Sequence, residues 1–116
     1  MKYMLLIYGE EAKFGKMSEA QIIEVMGAYR AYTEALQKAN VIVDSSRLRD
    51  VADATSVRIA GGKTNVLNGP YAETKEQLGG YYLIDVPDID QAISWAARCP
   101  GASYGTIEVR PLWAVE

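Results

Sequence analysis

The chain contains no histidine and a single cysteine, Cys99. General acid–base work therefore falls to carboxylates, lysines or tyrosines. Three carboxylates stand beside apolar stretches and are the candidate catalytic groups: Glu73, Asp85 and Glu108. Burial disfavours the charged form of such a group and brings its pKa up toward neutrality, where it can act as a base. Asp85 follows Tyr81 and Leu83 on one face of an extended run. It also ends that run just before Pro87, where solvent reaches it. Glu108 and Arg110 are two apart, so on a strand they share a face. They can pair with each other or with a lysine of a second copy, or Arg110 can grip a ligand carboxylate through two parallel hydrogen bonds. Lys75 is a second anion holder, and Tyr8 and Tyr82 offer hydroxyls. Lys75, Arg110, Tyr82 and Tyr8 are thus the candidate ligand-binding residues. Cys99 precedes Pro100 at a helix end and has no partner base, so it reads as a small packing residue. One cysteine makes no internal disulfide, and metal sites of the usual cysteine type are excluded. No cofactor or metal is expected.

The stretch from Asn68 to Ile84 positions several of these groups. Asn68-Gly69-Pro70 is a strong turn signal, because Gly69 can take a positive φ and Pro70 restricts the residue before it. Glu73, Lys75 and Glu76 follow within a few residues. Gly79-Gly80 then lets the backbone bend or approach another chain segment before an apolar strand begins. Glu73 and Lys75 either form a surface ion pair or reach the rim of a cleft with Arg110 on its floor.

The same stretch, Asn68-Gly-Pro-Tyr-Ala-Glu-Thr-Lys-Glu-Gln-Leu-Gly-Gly, resembles the signature of the YCII-related family, in the branch named for an Asp-Gly-Pro-Phe motif. Asn68 stands in place of the Asp and Tyr71 in place of the Phe. The likeness runs from Met1-Lys2-Tyr3-Met4-Leu5-Leu6-Ile7-Tyr8 to Glu108-Val109-Arg110-Pro111. It implies a ferredoxin-like α+β sandwich that pairs sheet to sheet as a dimer of the α/β-barrel type. In studied relatives it implies a His–Asp pair in the cleft and action on lactone-type substrates, including dehalogenation of chlorinated muconolactones. Here Tyr29 and Arg30 occupy the helical region that carries the family histidine, so the dyad is not carried over. Members of this branch are also labelled as transcription-initiation proteins because their genes accompany sigma-like factors.

Composition sets further bounds. At 116 residues the chain reads as one domain, 1–116, with room for a sizeable core. It is 49% hydrophobic and 23% charged, within the ordinary globular range. The net charge is −3 with scattered lysines and arginines, so no basic patch suits a phosphate backbone and no direct nucleic-acid partner is expected. The first apolar run, residues 3–8, is too short for a signal peptide's core or a membrane span. A soluble cytoplasmic protein with no membrane partner is the expectation. Gly61-Gly62-Lys63-Thr64 is not a phosphate loop: it lacks the upstream glycine at the required spacing and no helix follows.

Periodicity predicts the elements. Residues 2–8 form a strand apolar on both faces, and residues 9–17 a loop. Ser18 and Gln21 make a capping box for a helix whose face is Ile22, Val25, Met26, Tyr29, Tyr32, Thr33, Leu36 and Ala39, with Asn40 past its end. A ragged strand runs over 41–48. A hairpin follows, with residues 56–59 and 64–67 flanking Gly61-Gly62. Residues 80–86 form a strand, and Asp88 caps a helix with the face Ile89, Ala92, Ile93, Ala96 and Ala97. The last strand, from about 105 to 114, turns Ile107, Val109, Pro111 and Trp113 toward the helices.

The order is βαβ, hairpin insertion, βαβ: an α+β fold, ferredoxin-like by the resemblance. Two helices normally cover one side of such a sheet, so the apolar open side calls for a second copy. A homodimer with a cleft at the sheet face is expected, and a small anionic ligand is the expected occupant. Two functions fit. One is an enzyme on a small organic acid or lactone. The other is a non-catalytic dimer that binds a ligand or a regulatory partner, which the resemblance associates with sigma-factor systems.

Overall fold

The computed structural model describes residues 1–114. β1 (Lys2–Gly9) lies inside a four-stranded sheet, between β5 (Gln77–Asp85) and β6 (Thr106–Pro111), with β2 (Ile42–Arg47) outside β5. All three pairings are antiparallel. β3 (Thr55–Ala60) and β4 (Lys63–Asn68) form a separate antiparallel hairpin. Among the described residues the helices are α1 (Glu11–Phe14), α2 (Glu19–Lys38) and α3 (Ile89–Arg98), with single 3₁₀ turns at Val51–Asp53 and Pro100–Ser103. The fold is α+β with antiparallel sheets. No helix among the described residues is long and apolar enough to cross a membrane.

Local sequence chemistry sets the element ends. The Ser18 hydroxyl accepts from the Gln21 amide at 3.2 Å while the Gln21 side chain accepts from the Ser18 amide at 2.9 Å, so two orphan donors of α2 are satisfied together. Asn40 closes the far end with φ 59°. The Asp88 carboxylate caps α3 through the Gln91 amide at 2.9 Å.

The core lies on one side of the large sheet. Tyr3 and Leu5 of β1 and Tyr82 and Ile84 of β5 point to that side and meet Tyr32 and Leu36 of α2 and Ala92 and Ala96 of α3. Leu5, Leu36 and Ile84 are completely buried. The Tyr32 ring stands edge-on to Tyr82, centroids 5.1 Å apart, and its hydroxyl donates to the Trp95 carbonyl at 2.8 Å. That bond ties the two helices together over the sheet. The register sends Met4 and Leu6, with Tyr81 and Leu83 across from them, to the opposite, open side. All four remain half-buried there.

Several expectations are corrected. Residues 9–17 are not a plain loop, because α1 forms inside them. It is held by Gln77, whose side chain accepts from the Glu11 amide at 3.0 Å, and by Glu11, whose carboxylate accepts from the Val51 amide at 3.1 Å. The last strand stops at Pro111, where β1 runs out of partners: Tyr3 pairs with Pro111 and Leu112 N–H donates to Lys2. Trp113 therefore packs on nothing and is 96% exposed. α3 buries Ala92 and Ala96 beside half-buried Trp95 and buried Cys99, a 3.6-period stripe, and turns Ile89, Ile93 and Ala97 outward. On α2, Met26 and Ala39 of the expected face are exposed.

Candidate functional site

The glycine pair shapes the sheet locally. Ile7 pairs with Gly80 but Tyr8 with Leu78, so Gly79 is an extra, bulged residue in β5. Gly80 faces the helix side in a row with Ile7 and Arg47, and the next row is Leu5, Tyr82 and Ser45. On that face β5 has no side chain at Gly80, and β2 has only the short Ser45 beside Tyr82. A hollow opens there between the sheet, α1 and the middle of α2.

This hollow is a cavity of about 850 Å³. Phe14, Met17, Val25, Met26 and Tyr29 give it apolar and aromatic walls. Arg30, Thr33, Arg47 and Tyr82 bring polar groups into it. An apolar concavity with a few convergent polar groups is the usual form of a small-molecule site.

The charges around it are unequal in availability. Glu10 accepts ion pairs from Lys13 at 3.4 Å and from Lys75 at 3.6 Å. The Glu11 carboxylate is taken by the Val51 amide. Arg47 reaches over the Phe14 ring, 5.6 Å from its centroid, with one guanidinium nitrogen 3.8 Å from the Met26 sulfur. Among the described residues no carboxylate pairs with Arg47 or Arg30. Asp50 is the one cavity carboxylate outside such a contact. The lining carries Lys13, Arg30 and Arg47 against Glu10, Glu11 and Asp50, so its formal charge balances, and Arg30 and Arg47 are the cations in it that no carboxylate pairs with.

Tyr29, Tyr32 and Tyr82 are neutral hydrogen-bonding groups, not bases. Burial pushes the Tyr29 phenol far above its ordinary value, and neighbouring Cys99 and Tyr104, both hydrogen-bonded to it, push the same way. Tyr32 is raised by burial and by Cys99. Tyr82 is raised by burial, against a smaller opposing effect of its bond to Thr33. Cys99 is raised by burial too, only partly offset by bonds from the Gly101 amide and Tyr29, so it stays a protonated thiol at neutral pH.

The structure divides the residues singled out from sequence. Tyr8 and Tyr82 line the cavity. Lys75 reaches its rim through Glu10 and pairs with that residue rather than with Glu73, which is exposed. Asp85 ends β5 with its carboxylate 3.1 Å from the Met1 amino group, both exposed. Glu108 and Arg110 oppose Leu6 and Met4 on the open side of the sheet, away from the cavity. Arg47, Thr33, Phe14 and Met26 escaped sequence reasoning as site residues. Their signal was the Gly79-Gly80 pair in a strand of otherwise large side chains, which marks a hollow for residues opposite it to fill.

Comparison with known proteins adds the lineage. The YCII-related domain family matches residues 1–116. The chain belongs to the YCII-related domain family. An uncharacterized protein of Rhizobium meliloti (strain 1021) is 37% identical over 114 residues, which cover 97% of this chain and 92% of that relative. In this YCII-related chain Tyr29 and Arg30 both line the cavity; the Tyr29 phenol, set against Gly101, Cys99 and Tyr104, holds its proton, and Arg30 carries a permanent charge. Neither can replace an imidazole that cycles its proton near neutrality.

Proposed function

We propose that this YCII-related protein binds a small organic acid in the cavity between the sheet and α2. The observation that supports it is Arg47: an uncommitted guanidinium that enters an aromatic-walled cavity across the gap left by Gly80 and Ser45. Arg47 is exposed, and its guanidinium, with no carboxylate partner among the described residues, is free to grip a ligand carboxylate in two places. The reading is a binding site rather than an acid–base centre, because Tyr29 and Tyr82 hold their protons, Glu10 and Glu11 are engaged in holding α1 and the neighbouring loop, and Asp50 is exposed. A titration of the protein with a panel of aliphatic and aromatic carboxylates, followed by calorimetry and thermal shift, tests it. Arg47→Ala weakens every ligand that binds by about tenfold or more while the protein keeps its melting temperature. If no carboxylate binds, or Arg47→Ala leaves all affinities unchanged, the reading is wrong.

The finer features read from sequence belong with this proposal. Strand order β2–β5–β1–β6 with all neighbours antiparallel supports the ferredoxin-like topology. Gly69 with φ 121° in the Asn68–Tyr71 turn supports the Asp-Gly-Pro-Phe branch. A homodimer through the open side of the sheet is supported by half-buried Met4, Leu6, Tyr81 and Leu83. Glu108 and Arg110 would then lie at that junction, and a second anion site between the two sheets is the role left to Arg110 there.

A further inference from the structure

The floor of the cavity holds a pair of hydroxyls whose proton count is decidable. Thr33 Oγ lies 2.9 Å from the Tyr29 carbonyl oxygen and 2.8 Å from the Tyr82 hydroxyl. The carbonyl can only accept, so the single Thr33 proton goes to it. The Thr33–Tyr82 bond then needs a proton from Tyr82, which donates to Thr33. Tyr82 has no second proton. Its oxygen can therefore offer only lone pairs to anything else in the cavity, and its phenol does not ionise at neutral pH because burial holds it protonated.

Register places this acceptor near the cation. Arg47 pairs with Gly80 and Ser45 with Tyr82, so Arg47 and Tyr82 are diagonal neighbours on the helix-side face of two adjacent strands. Such neighbours are about 7–8 Å apart, with Cβ atoms somewhat closer, within the reach of one aromatic ring and its substituents. Phe14 and Tyr29 line the same cavity.

We infer that the cavity selects acids that also carry a hydroxyl: the carboxylate meets Arg47 and the ligand O–H donates to Tyr82. The inference rests on the acid-binding reading above and names its ligand class, a hydroxylated aromatic acid. A ligand that can only accept at that end faces two lone-pair sets, one on each side, and gains no bond. A desolvated polar group left without a partner is the strongest source of discrimination between close analogues.

The test is calorimetry on the full chain with benzoate and 2-naphthoate, each beside its hydroxy and methoxy counterpart (4-hydroxy- and 4-methoxybenzoate; 6-hydroxy- and 6-methoxy-2-naphthoate). The hydroxy acid of at least one series binds about tenfold or more tightly than both the parent and the methoxy acid. Tyr82→Phe removes that preference, so that the hydroxy acid and its parent bind the variant alike. Thr33→Val frees the Tyr82 proton, so the methoxy acid gains affinity and the gap between hydroxy and methoxy narrows. Equal affinity for the three members of both series, or a preference that survives Tyr82→Phe, overturns the inference while leaving the acid site standing. If no acid in either series binds, the acid-site reading falls and the hydroxyl preference with it.

Discussion

A Cβ built on Gly80 would stand 2.8 Å from the Ser46 carbonyl oxygen. β5 and β2 approach each other at that point only because Gly80 has no side chain. The same absence opens the cavity on the helix side, so one glycine serves both strand packing and the hollow. Gly80→Ala forces the Ser46 backbone outward. It is expected to lower stability by about 1–3 kcal/mol, the range for an overpacked site. Urea unfolding measures this, with Gly9→Ala as control, where a Cβ meets nothing within 4 Å.

Gly69 carries a different constraint. Its φ is 121°, and a Cβ there meets nothing within 4 Å, so the cost of a side chain is purely conformational. Gly69→Ala is expected to destabilise by more than ~1 kcal/mol, since strain at positive φ outweighs the gain from a stiffer unfolded chain. An unchanged urea midpoint would show that the turn relaxes freely.

Alkaline pH should unfold the protein by linkage. Tyr29, Tyr32 and Tyr82 have folded-state values above those of free phenols. Groups so raised favour the folded state fully below their unfolded pKa, about 10 for tyrosine, and lose that contribution as pH climbs beyond it. Buried Cys99 acts in the same direction from about pH 8.5 upward. Stability is expected to decline with rising pH above about 9, steepening past 10. Phenolate absorbance should show part of the eight tyrosines titrating only together with loss of far-ultraviolet ellipticity. A full, reversible titration of all eight near pH 10 in the folded protein contradicts this.

The open side of the sheet carries Met4, Leu6, Tyr81 and Leu83 side by side. If two copies meet there, Leu83→Arg places a charge in the middle of the contact. The expected result is a dimer by light scattering for the unaltered chain and a monomer for Leu83→Arg, with helix content retained. A monomeric unaltered protein at micromolar concentration removes the sheet-to-sheet arrangement.

The hairpin extends the same question. Val57, Ile59 and Val66 lie on one of its faces, with Ile59 72% and Val66 62% exposed. An isolated two-stranded sheet is marginal in water, so the hairpin gains from any cover it finds. Val66→Asp is expected to leave the melting temperature of the chain almost unchanged while removing association that depends on this face, read by the same light scattering.

What could be read from the sequence follows from local rules. The Ser18–Gln21 box, the Asp88 cap, the positive φ at Asn40 and Gly69 and the Gly61–Gly62 turn are each settled by residues a few positions apart. So are the two-faced strands, whose period of two needs no partner to be seen. Tyr8 and Tyr82 stand out in the sequence as hydroxyls on apolar strands, and both line the cavity. The cavity was not legible, because it depends on which strands become neighbours. Arg47 reads as one member of an exposed polar run until β2 pairs with β5 and sets it beside Gly80. Thr33 reads as one more residue on a helical face until Tyr82, 49 residues away, supplies its partner. Nor can alternation tell which side of a sheet the helices will choose. Only that choice separates Arg47, over the cavity, from Arg110, on the open face.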